Sequence, residues 1–290
     1  LPTTQVAAQT KPFQPADIYD LSMVNSPVVS PDGTRVLFTR TAFDRGTDRR
    51  TGELWLAHLD SAGKIIDKRL LVGRDVAPRE ASWSPDGSRI AYVAQALGKA
   101  QIHVLALSEG VGRPLTSGDI APSQPTWSPD GRWIAFAMTT TQMEEEVDPR
   151  RVLVGDIGLI PAEGGEIRRL TRSLGPAENP AFSPDGRRVA YLGHAMQQGA
   201  YSQPSLWTVP VDGGEPRDLT AEFDRPFGDQ SIGDLMAQGS GSMRPIWSPD
   251  GRFIAYDWYE CGKALPHWAN VAQSCAASDY GATELEEVAQ

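Results

Sequence analysis

Three consecutive glutamates, Glu144, Glu145 and Glu146, followed by Asp148 and Arg150, form the sharpest charge cluster in this sequence. Ionised side chains at this density can make charge-assisted hydrogen bonds to a bound group of opposite charge. The plainer reading of such a run is a solvated loop. A second acidic string, Asp257-Trp258-Tyr259-Glu260, interleaves carboxylates with aromatic rings. Cys261, His267 and Cys275 are metal-ligand types, but their spacing fits no established zinc pattern. His58 and His103 lie in alternating apolar stretches and read as ordinary strand residues. Gly239-Ser240-Gly241-Ser242-Met243 puts no serine at the centre of a G-x-S-x-G elbow and reads as a flexible loop. No glycine-rich phosphate loop leads from a strand into a helix. The sequence therefore offers Glu144, Glu145, Glu146 and Arg150 as candidate substrate-binding residues, and no catalytic, metal or cofactor set.

The balance of charge narrows the partners. With 37 acidic residues against 27 Lys and Arg, the formal net charge is −10. Phosphate binding needs a basic footprint, so nucleic acid is excluded. No run of 18 apolar residues occurs, which argues against a membrane span. The opening LPTTQVAAQTKPFQP is polar and does not start with Met, as a mature end left after signal removal would be. We expect a periplasmic or secreted bacterial protein, with the cytoplasm as the alternative.

Elements able to position such residues are visible as a repeat. Ser-Pro-Asp-Gly begins at Ser30, Ser84, Ser128, Ser183 and Ser248, inside the frames VVSPDGTRVLF, ASWSPDGSRIAY, PTWSPDGRWIAF, PAFSPDGRRVAY and PIWSPDGRFIAY. Proline presets φ at the first turn position, Asp bonds nearby backbone, and Gly accepts the left-handed conformation that ends the turn. Ile90, Ile134, Val189 and Ile254 are each followed two residues later by Tyr92, Phe136, Tyr191 and Tyr256, the alternation of a half-buried strand. ELWLAHLDSAG, QIHVLALSEGVG, DIGLIPAEGGE and SLWTVPVDGGE read as third strands ending in glycine turns, and RPLT, RRLT and RDLT as short fourth strands. Four antiparallel strands in about 45 residues make a propeller blade.

The motifs are 54, 44, 55 and 65 residues apart, so three intervals carry insertions. Residues 41–52, 139–151 and 193–204 fall between strands two and three, and 221–243 between one blade and the next. Both connection types emerge on the face opposite the SPDG turns, which is where binding loops are expected. The fold class expected is all-β: a propeller of four-stranded blades, four complete and a partial fifth. Three segments follow: a flexible leader over 1–14, the propeller over 15–257, and an irregular tail over 258–290 with a short capped helix after Thr283.

W-S-P-D-G-x-x-I-A-Y followed by L-W-x-V-P-x-D-G-G-E-P-R-x-L-T resembles the propeller of prolyl oligopeptidase family serine peptidases, in particular the acylaminoacyl-peptidase and dipeptidyl-aminopeptidase-like enzymes. The match rests on ADIYDLSMVNSPVVSPDGTRVLFTR, SLWTVPVDGGEPRDLTAEFDRPFGDQSIGDL and RPIWSPDGRFIAY, and covers about residues 12–257. Periplasmic Tol-type propellers share the repeat alone. The resemblance implies a substrate-gating disc in front of an α/β-hydrolase domain, absent from this chain, that cleaves short peptides with a Ser-Asp-His triad. It also implies that Glu144, Glu145 and Glu146 could hold a substrate's N-terminal ammonium, and makes Asp257–Glu260 a weaker candidate for the same role. The alternative is a stand-alone Tol-type propeller binding a protein partner. Propellers of this family usually carry more blades, so an open arc that self-associates through its edges is expected, inert as a hydrolase without an elbow.

Overall fold

A computed structural model describes residues 12, 14–139, 154–172, 175–195, 202–222, 244–260 and 263–270, with side chains as far as Tyr256. Five antiparallel sheets follow one another along the chain. Blade one holds β1 (Ser22–Val29), β2 (Arg35–Asp44), β3 (Arg49–Leu59) and β4 (Ile65–Val72); blade two holds β5 (Arg79–Trp83), β6 (Arg89–Ala96), β7 (Lys99–Ala106) and β8 (Gly112–Pro114). Blade three holds β9 (Pro122–Trp127), β10 (Trp133–Thr139), β11 (Gly155–Pro161) and β12 (Arg168–Arg169); blade four holds β13 (Ala177–Phe182), β14 (Arg188–Gly193), β15 (Ser205–Pro210) and β16 (Arg217–Asp218). Blade five has three strands, β17 (Ile246–Trp247), β18 (Phe253–Glu260) and β19 (Lys263–Asn270). First strands touch in succession, β1 on β5, β5 on β9, β9 on β13 and β13 on β17, so they form the inner ring of a β-propeller.

The repeat works through side chains that serve the backbone. In blade one, Ser30 Oγ donates to Asp32 Oδ1 at 2.5 Å and accepts the N–H of Arg35 at 3.0 Å, while Asp32 Oδ1 accepts the N–H of Thr34. The Ser-to-Asp bond recurs in every blade. These bonds to the ionised form hold the turn carboxyls down, to about 2 for Asp86 and Asp130, with the serine hydroxyl the main cause. A threonine two residues past each short fourth strand acts similarly in blades two, three and four. Thr116, Thr171 and Thr220 accept, through Oγ1, the N–H of Ile102, Ile157 and Leu206 at 2.9, 3.0 and 2.9 Å.

Blades are joined face to face by apolar clusters. Leu37, Leu54 and Leu56 of blade one meet Ile90, Tyr92 and Leu105 of blade two, and Ile102 and Val104 meet Ile134, Phe136 and Met138 of blade three. Ile157 and Leu159 meet Tyr191 and Val209 of blade four, and Leu192 and Leu206 meet Ile254 and Tyr256 of blade five. A polar latch crosses three of these seams. The residue before the SPDG serine is Trp83, Trp127 or Trp247, and its Nε1–H donates to the carbonyl of Val28, Ser82 or Ala181 in the preceding blade at 3.0, 3.3 and 3.1 Å. Arg35 and Arg89 cover the rings of Trp83 and Trp127 at 4.9 and 4.8 Å. In the seam between blades three and four, Phe182 takes the place of tryptophan and Trp133 that of the arginine, and both pack against the cluster there.

The ring is not closed among the described residues. No apolar cluster joins blade five to blade one, and Val29 and Ile246, at the two ends, are 58% and 54% exposed. Two expectations need correction. Chain irregularity does not begin at 258, because β18 reaches Glu260 and β19 pairs with it from Phe253↔Asn270 to Glu260↔Lys263. A third strand needs only the free edge of the second; Pro266 and the missing glycine turn disguised it, and proline is tolerated on an edge strand. Residues 41–52 are likewise mostly strand, since β2 runs to Asp44 and β3 starts at Arg49. The expected helix after Thr283 lies outside the described residues.

Candidate functional site

Where the inner strands converge, those of blades one to four are interrupted at one equivalent place, four residues before the SPDG serine. Ser26, Glu80, Gln124 and Asn179 there have φ of 51°, 54°, 54° and 55°. Each sits at a bulge where the pairing of strands one and two slips. This left-handed kink turns the side chain out of the ladder towards the next blade. Gln124 N–H donates to Glu80 Oε2 at 2.5 Å, and Asn179 N–H donates to Gln124 Oε1 at 2.7 Å, so successive blades are linked around the axis by a stepwise relay.

Blade five places Arg244 at the same position. Its Nη2 donates to the carbonyls of Gln124 and Pro125 at 3.2 and 3.4 Å, reaching from blade five past blade four to blade three. Burial lowers its pKa, and the nearby charge of Glu80 opposes that shift. Glu80 Oε1 also lies 3.5 Å from Arg79 Nε. Glu178, one residue before Asn179, keeps contact with solvent, yet enclosure by the ring raises its carboxyl pKa and the charge of Glu80 raises it further. The axis thus carries two carboxylates, two guanidiniums and amide groups drawn from four blades. Such a set can hold a charged or hydrogen-bonding group, but it contains no nucleophile paired with a base.

Glu144, Glu145, Glu146, Asp148 and Arg150 lie outside the described residues, as do Cys261, Cys275 and the side chains of Asp257–Glu260. Among the described residues no three His, Cys, Asp or Glu are grouped to hold a metal. On the long-loop side, Tyr191, Trp207, His194 and Pro176 line a cleft between blades three and four, with Arg172 beside them. Its volume of about 20 Å³ admits a water and little more. The axial ring escapes the sequence reading, which follows the residues around and after each SPDG turn and not those leading into it. A signal was present: a polar residue four places before each serine, followed by proline in four of five copies (Pro27, Pro125, Pro180, Pro245).

Comparison with known proteins gives two kinds of relative. The chain is 28% identical over 318 residues to the uncharacterized peptidase YuxL of Bacillus subtilis, an alignment covering 81% of this chain and 47% of that protein. It is 36% identical over 135 residues to the Tol-Pal system protein TolB of Bordetella pertussis, covering 46% of this chain and 27% of the other. The chain is related by sequence to both. It spans about half the length of the peptidase and about a quarter of TolB. The crystal structure of TolB from Acinetobacter baumannii shares the fold, with a TM-score of 0.58 over 87% of this chain and 52% of that one, at 18% identity. No protein-family model matches. Among the described residues no helix is long and apolar enough to cross a membrane.

Proposed function

We propose that this chain is the propeller portion of a serine peptidase acting on short peptides, and that its disc governs which substrates reach the catalytic domain. One observation carries this reading: the peptidase alignment runs through 81% of the chain, whereas the TolB alignment stops at 46%. The axial ring supports it, since Glu80, Glu178 and Arg244 offer charge of both signs where a peptide's termini could be read, and no group that could attack one. The hydrolytic machinery belongs to a separate catalytic domain, and the chain itself contributes selection. An exported location, periplasm or medium, goes with this reading and is checked by fractionation of the source cells.

Higher identity over the shorter stretch favours a second reading, a TolB-like propeller whose long-loop face binds a protein. Titration of the purified chain with fluorescent di- to tetrapeptides separates the two. Saturable binding that weakens when the amino terminus is acetylated supports the peptidase reading. Absence of peptide binding, together with a stoichiometric complex with a cell-envelope protein, overturns it in favour of the second.

A further inference from the structure

The outermost strand of blade one differs from its counterparts. β4 runs for eight residues, whereas β8, β12 and β16 run for three, two and two. Among the described residues no strand lies beyond it in its sheet. Its exposed side chains are of two kinds, with apolar Ile65, Ile66 and Leu70 exposed by 53%, 66% and 47% on either side of the charged Asp67, Lys68 and Arg69. A long bare edge of this kind is a template for pairing with another chain.

The ladder identifies the free backbone groups. Leu59 N–H donates to Thr34 O, so by alternation Leu59, Ala57 and Trp55 direct their backbone groups to β2, and His58 and Leu56 direct theirs to β4. His58 lies opposite Asp67 and Leu56 opposite Arg69. Asp67 and Arg69 therefore spend their N–H and C=O inside the sheet, and those of Lys68 and Leu70 face outwards.

We infer that β4 pairs with β4 of a second copy of this chain, antiparallel and centred on Lys68. A two-fold axis through such a pair brings together only residues whose numbers have an even sum, because opposed side chains must lie on one face. Centred on Lys68, Asp67 faces Arg69 of the other copy twice over, and Ile66 faces Leu70 twice over. Centring one residue earlier sets Asp67 against itself, and one later sets Arg69 against itself. The Lys68 register is thus the self-complementary one, and the like-charge contact of Lys68 with its own copy keeps the dimer weak. Pairing would also extend the free face of blade one, where Phe38 and Trp55 stack at 6.4 Å, into an eight-stranded sheet.

Sedimentation velocity of the full chain up to about 1 mM, the limit of weak specific association, tests this. We expect a concentration-dependent dimer. Lys68→Pro removes an outward N–H at an edge position that tolerates proline and weakens the dimer by about tenfold or more. Asp67→Arg sets arginine against arginine and has a comparable effect, and the double swap Asp67→Arg/Arg69→Asp restores the wild-type constant. Circular dichroism confirms that each variant is folded, and the swap keeps the test decisive if the proline variant is not. A monomer throughout, or a dimer indifferent to the charge variants, overturns the proposal; the second result would place association on the free faces of blades one and five.

Discussion

Replacing Trp83 by Phe tests whether the indole latch holds blades together or merely fills space. Three contributions are lost at the seam of blades one and two. The Nε1–H to Val28 O bond, 3.0 Å long, contributes about 1 kcal/mol net, with the partly solvated carbonyl limiting the cost of leaving it unpaired. The cover of Arg35 over the ring, at 4.9 Å, contributes about 0.5 kcal/mol at a site that keeps some solvent. The smaller ring removes buried apolar volume worth about 1 kcal/mol. Together these give about 2.5 kcal/mol, or a fall in thermal midpoint of about 5–10 °C for a domain of this size. Differential scanning calorimetry of wild type, Trp83→Phe, Arg35→Met and the double variant measures the loss and the coupling between the pair. A Trp83→Phe variant within about 0.5 kcal/mol of wild type, the range of neutral surface changes, would show that the indole hydrogen bond does not bind the blades.

Three further outcomes are expected. His103 is buried against Tyr92, its Nε2 has no partner and burial lowers its pKa. The unfolded state therefore takes up protons first as pH falls below about 6.5, so stability drops from there towards the folded pKa; His103→Phe should flatten that part of the chemical-denaturation profile. Glu80→Gln removes one of the two causes that raise the Glu178 carboxyl, so carboxyl-detected NMR titration should find Glu178 titrating lower than in wild type. A fluorophosphonate probe should leave the chain unlabelled, and labelling abolished by one serine substitution would contradict the absence of an elbow in its sequence.

Much of the blade architecture was legible because SPDG fixes where strand one ends and strand two begins. Alternation such as Ile90 and Tyr92 then fixes which face is buried. RPLT, RRLT and RDLT locate the short fourth strands, although these end at Pro114, Arg169 and Asp218, and the role of Thr116, Thr171 and Thr220 just beyond as acceptors for third-strand amides is not legible. β19 was hidden because backbone pairing to a free edge asks little of residue type, and Pro266 argues against a strand everywhere except at an edge. The axial ring was hidden for a different reason. Glu80, Gln124 and Asn179 become neighbours only when 44 or 55 residues of intervening chain close each blade, so the polar residue before each serine marks the position but not its partners. Glu144, Glu145 and Glu146 remain a reading of charge and of family resemblance.

The seam latches bear on how such a chain can lengthen. A repeat carrying tryptophan before its serine and arginine five residues after it brings both halves of the joint, one facing the blade before and one the blade behind. Tandem duplication of the second repeat, which has Trp83 and Arg89, would therefore deliver a copy already fitted to its parent on either side. The third and fourth repeats are different, because Trp133 and Phe182 are matched to each other and to no other pair. A copy inserted between them would meet the wrong partner on both flanks. Blade number can thus grow by duplication at the two seams where arginine covers tryptophan, while the order of blades three and four is fixed.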